Sequence, residues 1–235
     1  GQMCNYGKLD QICSLYKIPL IEDSSQAMGA ISSSGPAGSQ GLISATSHNP
    51  MKSLAALGEA GSITTDSQQL YERLVTLRYS GTVNKTNCIE PSINGRLDTF
   101  QADVLNTRIK YLNEITQKRN FNADFYDQNL HRAIARPNRA PYTKIHGFYT
   151  YQIRTKRRDE LMARLSDFGI ETKIQHNPLI SEQTFYKSTF ESKPVPNALK
   201  HAQESLCLPI HEKLTNGELI RVVEAIETCS NGLGL

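Results

Sequence analysis

The sequence lacks any uninterrupted apolar run of the roughly 20 residues that a bilayer-crossing helix needs, and no basic-then-apolar signal pattern opens it. These absences make a cytoplasmic protein the expectation. It also lacks an excess of charge of either sign: 26 Lys and Arg stand against 23 Asp and Glu, scattered along the chain, for a net +3. Nucleic-acid phosphates are gripped by concentrated basic faces, so a nucleic-acid partner is not expected. Nor is there a CxxC pair. The five cysteines, Cys4, Cys13, Cys88, Cys207 and Cys229, are odd in number and widely spaced. That pattern suits neither a zinc site nor a disulfide framework, and reduced thiols are expected. Internal repeats and low-complexity tracts are missing too.

What is present is enough for a sizeable core. A chain of 235 residues holds one large domain or two small ones. Leu9, Ile12, Cys13 and Tyr16 fall at helical spacing and predict a helix over residues 8–16. Short apolar runs at 18–21, 42–46 and 61–65 predict strands, the first ending in Glu22 and Asp23. Asp66 and Ser67 open a helix carrying Leu70, Leu74 and Leu77, with Gly81 past its end. Alternation of this kind with short loops predicts an α/β fold with a mainly parallel sheet, whose ligands gather at the carboxyl ends of strands. Residues 82–95 read as an exposed loop, and a long connector helix is predicted from Leu97 through Ile115. Beyond a proline-containing loop at 132–142, strands are predicted at 148–154 and 170–174, with a helix at 160–168 between them. Thr215 and Glu218 form a capping box for a last helix with Leu219, Val222, Val223 and Ile226 on one face. The second part therefore reads as a small α+β domain, and the expected division is 1–115 and 116–235.

Two segments carry the chemistry: IEDSSQAMG at 21–29 and SHNPMKSLAALGEAG at 47–61. Each joins a strand end to a polar side chain and then to small residues that let a ligand approach the backbone. An Asp and a Lys at two such ends suit pyridoxal chemistry, which needs an amine for a Schiff base and a carboxylate to keep the pyridine nitrogen protonated. On the residues alone, a solvated Lys52 and a helix-capping Asp23 explain the pair equally well.

The two segments, together with NGRLDTFQADVL at 94–105, resemble the DegT/DnrJ/StrS family of sugar aminotransferases. IEDSSQAMG resembles the family's ED-x-x-QAxG. The second segment resembles its S-F-x-P-T-K-N-L-x-x-x-G-x-G-G, and the third its N-x-R-L-D-x-x-QAA-x-L. Order and spacing agree over nearly the whole chain. The resemblance implies the type I fold of pyridoxal 5'-phosphate enzymes, with this chain as the C-terminal part of the large, cofactor-binding domain plus a small α+β domain. It implies that Lys52 holds the cofactor and moves the proton, Asp23 pairs with the pyridine nitrogen, Gln26 meets the ring hydroxyl, and Ser47 meets the phosphate. By the same resemblance Asn94 reaches the phosphate in a neighbouring subunit of a homodimer with shared active sites, and Arg96 lies near the substrate's anionic groups. Gln175 and His176 fall in the family's substrate region. The implied reaction transfers an amino group from an amino acid, L-glutamate, to a keto-sugar nucleotide in amino-sugar or surface polysaccharide biosynthesis.

This sequence departs from the family at several places. His48 stands for the usual aromatic, Met51 for Thr, Ala60 for Gly, Gln175-His176 for His-Tyr, and Tyr149 for a frequent His. The last two bear on acceptor identity rather than on cofactor chemistry. The family's N-terminal segment, with a phosphate loop and a stacking aromatic, has no counterpart in these residues, so this chain alone is expected to be inactive. Two alternatives remain: a pyridoxamine-dependent sugar dehydratase, whose His at the lysine position Lys52 argues against, and a non-catalytic partial relative.

Overall fold

The computed structural model describes residues 1–191 and 193–234. They form two compact units: Gly1–Gln117 with Arg139–Tyr149, and Lys118–Asn138 with the residues from Thr150 onward.

In the first unit α1 (Tyr6–Tyr16) begins at Asn5, whose side chain accepts the Lys8 amide, and ends at Lys17 in the left-handed region. Strand β1 (Ile21–Asp23) starts late in the apolar run of 18–21. Pro19 has no N–H to give to a ladder, so pairing begins after it. The hairpin of β2 (Ile31–Ser32) and β3 (Gly35–Pro36) follows, then β4 (Ile43–Ser47) and β5 (Gly61–Thr64). β1 and β4 run parallel, with Asp23 opposite Ala45, while β5 lies antiparallel on the far side of β4. This sheet is therefore mixed, not mainly parallel. The chain returns from β4 to β5 through the loop of residues 48–60 with no helix to carry it back for a parallel crossover, and β5 pairs antiparallel. A small core of Met3, Tyr6, Ala27 and Ala30 packs with Leu9, Leu20 and Ala37.

Helix α2 (Gln68–Arg78) starts at Ser67, whose side chain accepts the Leu70 amide. The loop after it contains a two-residue ladder of β6 (Thr82–Val83) and β7 (Asn87–Cys88). The expected single helix from Leu97 is instead α3 (Thr99–Arg108), a 3-10 turn at Ile109–Tyr111, and α4 (Leu112–Asn129). The backbone stays right-handed through the turn but tightens at β-branched Ile109. The boundary between the units falls inside α4. Strand β8 (Thr143–Ile145) then pairs with β2 in the first unit.

The second unit is built on β9 (Tyr151–Arg154) and β10 (Ser205–Leu208), which pair antiparallel. β9 does not begin at Phe148 as expected, because Phe148 has a φ of 38° and breaks the extended run. Helices α5 (Arg158–Asp167), α6 (Thr184–Thr189), α7 (Pro196–Glu204) and α8 (Asn216–Leu233) complete it. The expected strand at 170–174 is reduced to one bridge between Lys173 and Cys207, since Gly169, at φ +69°, turns the chain just before it. Leu161 and Leu165 of α5 and Leu219 and Ile226 of α8 are fully buried, as are Tyr151, Ile153 and Leu206 on the strands. Each such side chain contributes about 1.5–3 kcal/mol through burial. Thr215 and Glu218 form the reciprocal cap of α8.

Candidate active site

Because β1 and β4 are parallel neighbours, their carboxyl ends open to the same side of the sheet. Asp23 is the last residue of β1 and Ser47 the last of β4. Three buried hydroxyls lock these ends together: Ser24 Oγ lies 3.1 Å from Ser44 Oγ and 2.6 Å from Thr46 Oγ1. The Ser24 amide also donates to the Ala45 carbonyl at 2.9 Å. Behind them the buried Glu22 accepts the amides of Gly38 and Gln40, each at 3.0 Å.

Asp23 itself is exposed. Its Oδ1 accepts the Ser25 amide at 2.9 Å and also the Ser25 hydroxyl. These two bonds, helped by the charge of Lys52 and opposed by slight burial, hold the carboxyl below the ordinary aspartate range. At neutral pH it is an anion.

Lys52 stands in a turn between β4 and β5. Its amide donates to the Asn49 carbonyl at 2.9 Å, and Asn49 Oδ1 accepts the Met51 amide at 2.9 Å. The side chain is half-buried, with Nζ 4.5 Å from the centroid of the Tyr149 ring. Among the described residues the ammonium has no ion-pair or hydrogen-bond partner, so the ring face of Tyr149 is its neighbour. Gln26, also half-buried, likewise has no hydrogen-bond partner among the described residues. Ser47 Oγ accepts the Asn49 amide in a long contact of 3.4 Å, leaving its own hydroxyl proton to give.

Asn94 and Arg96 are joined to one another rather than to the lysine turn. Asn94 Oδ1 accepts Arg96 Nε at 2.8 Å, and the Arg96 guanidinium lies 4.5 Å over the Tyr79 ring. Backbone pairing of Asn94 with Tyr79 fixes both at the end of α2. Gln175 and His176 belong to the second unit. Gln175 Oε1 accepts a weak bond from the Cys207 thiol at 3.7 Å. His176 has a φ of 59° and lines a cleft of about 890 Å³ with Leu179, Tyr186 and Phe190. The sequence reading overlooked Ser24, Ser44 and Thr46. Alternation in β4 places residues 44 and 46 on one face, a signal available in the sequence. It also overlooked Ser62, whose partner is described below. Among the described residues no helix is long and apolar enough to cross a membrane, and no group of three or more His, Cys, Asp and Glu is gathered to hold a metal.

The geometry can be set beside known proteins. The model of the DegT/DnrJ/EryC1/StrS aminotransferase family matches residues 1–227. A "pleiotropic regulatory protein" of Geobacillus stearothermophilus is 31% identical over 96% of this chain and 62% of its own length. A dTDP-3-amino-3,6-dideoxy-alpha-D-galactopyranose transaminase of Aneurinibacillus thermoaerophilus shows the same identity and the same two coverages. The crystal structure of Streptomyces venezuelae DesV superimposes with a TM-score of 0.91 at 30% identity, over 97% of this chain and 62% of that one. The chain thus spans about three fifths of the length of these relatives.

Proposed function

The chain belongs to the DegT/DnrJ/EryC1/StrS aminotransferase family, and from that premise we propose that it is the lysine-bearing part of a pyridoxal-phosphate transaminase acting on keto-sugar nucleotides. One observation carries the reading: a half-buried, uncommitted Lys52 amine stands beside ionised Asp23 at the carboxyl ends of two parallel strands.

The donor set fits the cofactor. Asp23 offers an anion for a protonated ring nitrogen, Gln26 a free amide for the ring hydroxyl, Ser47 a hydroxyl proton for the phosphate, and Lys52 a primary amine. Pyridoxal phosphate, when bound, supplies an aldehyde for amine exchange and a ring that takes up the electron pair of a broken C–H bond. Asp23 would hold the ring nitrogen protonated through a charge-assisted hydrogen bond, about twice as strong as a neutral one. Lys52 Nζ would serve as the base at the substrate carbon and hold the proton for its return. The Tyr149 ring limits where that amine can swing.

The acceptor reading is supported by the dTDP-sugar transaminase among the relatives. An amino acid donor, L-glutamate, and a role in amino-sugar or surface polysaccharide biosynthesis in the cytoplasm complete the proposal. So does a homodimer in which Asn94 and Arg96 serve the partner's site, with Gln175 and His176 toward the substrate. The exposure of Ile93, 80%, supports a covered role for that loop in an assembly. A second reading, a non-catalytic regulator, is favoured by the likeness to the pleiotropic regulatory protein of Geobacillus stearothermophilus.

Borohydride reduction of the full-length protein with pyridoxal phosphate, followed by peptide mapping, separates the two. Label is expected on Lys52 and is lost in Lys52→Ala. Stoichiometric label on a different lysine, or none, would reject the transaminase reading.

A further inference from the structure

We propose that His48 is a positioning residue for Lys52, acting through two hydrogen bonds of its ring rather than through the bulk of that ring. The inference rests on the reading of Lys52 as the cofactor lysine.

Residues 49–53 form neither helix nor strand, and within them Lys52 is held by the single amide bond to Asn49. Such a turn has few ties of its own. Asn49 Nδ2 donates across the loop to Glu59 Oε1 at 2.6 Å, and His48 supplies further ties. It is 4% exposed, and its Nδ1 lies 3.0 Å from the Leu54 carbonyl while Nε2 lies 2.8 Å from Ser62 Oγ. A carbonyl only accepts, so Nδ1 carries a proton. In the neutral ring Nε2 then accepts the Ser62 hydroxyl. In the charged ring Nε2 donates to the same oxygen, so the bridge survives in both states. The backbone of His48 adds two more ties, donating to the Ala60 carbonyl and accepting the Ala56 amide, each at 2.8 Å.

One residue therefore joins the end of β4, the chain on the far side of Lys52, and β5. The placement matters because the chain turns inward immediately after the lysine. Met51 is 58% exposed, whereas Leu54, Ala55 and Ala56 are buried. The Leu54 carbonyl enters that interior and has the His48 ring as its partner. Without it, a backbone acceptor is left wanting a donor, and the cheapest repair is for the turn to shift. Such a shift moves the Cα of Lys52, two residues away, and with it the reach of Nζ past Tyr149 and Asp23.

An aromatic hydrocarbon at this position fills the same space and makes neither bond. The two explanations of His48 thus predict opposite orders for two substitutions. His48→Asn loses volume but keeps a side-chain N–H at the distance of Nδ1. His48→Phe keeps volume and loses both bonds.

The test is the rate at which pyridoxal phosphate, trapped with borohydride, labels Lys52 in the full-length protein, with melting temperature measured in parallel. We expect His48→Phe to label about tenfold more slowly than wild type and with poorer selectivity for Lys52. His48→Asn, which keeps the Leu54 bond and loses the Ser62 bond, should stay within about threefold, and Ser62→Ala, which cuts the same bond and leaves the ring in place, should do so too. Wild-type labelling in His48→Phe combined with slow labelling in His48→Asn would overturn the inference in favour of simple space filling. Should His48→Phe not fold, slow labelling in His48→Asn together with a wild-type rate in Ser62→Ala would also overturn it. Absence of label on Lys52 in the wild type would instead remove the cofactor reading on which it rests.

Discussion

Strands β10 and β5 each have four residues, yet every residue of β10 is buried and every residue of β5 is exposed. The second unit is held by apolar burial, with Leu161, Leu165, Leu206, Leu219 and Ile226 wholly inside. The sheet of the first unit is held by polar ties: Thr64 Oγ1 donates to the Gly38 carbonyl, Thr65 Oγ1 to the Leu42 carbonyl at 2.7 Å, and Ser62 meets His48. Area removed from water stabilises without regard to direction, whereas hydrogen bonds stabilise only in one geometry. The region that carries the candidate chemistry is thus the region whose structure depends on exact pairing.

The strongest way to break this contrast is Asp23→Asn in the full-length protein. Turnover should fall by several kcal/mol of barrier, each 1.4 kcal/mol being tenfold, while the melting temperature stays close to wild type. Near-normal kcat would leave the carboxylate as no more than the partner of Ser25. Next in size is Leu161→Ala, which should cost about 2–5 kcal/mol in urea denaturation through the cavity it opens. Ile63→Ala on β5, where the side chain is 53% exposed, should stay within about 0.5 kcal/mol. Equal losses at the two positions would erase the distinction between the units.

A further expected effect is one of pH. Burial, with Arg139 adding to it, pushes the His146 imidazole below its ordinary value of 6.5. Its Nδ1 accepts the Phe148 amide at 3.0 Å, which requires the unprotonated nitrogen. The unfolded chain therefore binds the proton first as pH falls. Stability of the first unit should be complete above pH 6.5 and decline below it, by at most about 1.4 kcal/mol per pH unit. Amide exchange in residues 143–148 should rise before exchange in β9 and β10. Simultaneous rise in both would show that burial of His146 has no such cost.

The features that could be read from the sequence are those whose partners are close along the chain. Ser67 caps α2 through Leu70, and Thr215 pairs with Glu218, all within three residues. Asp23 and Ser47 stand at strand ends because an apolar run stops there, and that too is local. Pairings across the chain were not readable. β10 lies against β9 from more than fifty residues away, and its SLCL run has no alternation to announce a strand, being buried throughout. Phe148 in the left-handed region follows from no propensity, and it shortened the strand expected there. The mixed sheet arose from the return direction of β5, which composition does not encode. For His48, the sequence marks an unusual residue at a known position, and only the register of β4 against β5 gives it Ser62 as a partner.

The hydroxyl seam of Ser24, Ser44 and Thr46 has a consequence for descent. Ser44 and Thr46 share Ser24 Oγ as their partner, so an apolar replacement at Ser24 strands two hydroxyls in the interior, whereas removing the whole set strands nothing. Intermediates between a hydroxyl seam and an apolar one are worse than either end. Lineages should therefore keep all three or exchange them together, and the junction of β1 with β4 should change by jumps while the loops around it drift one residue at a time.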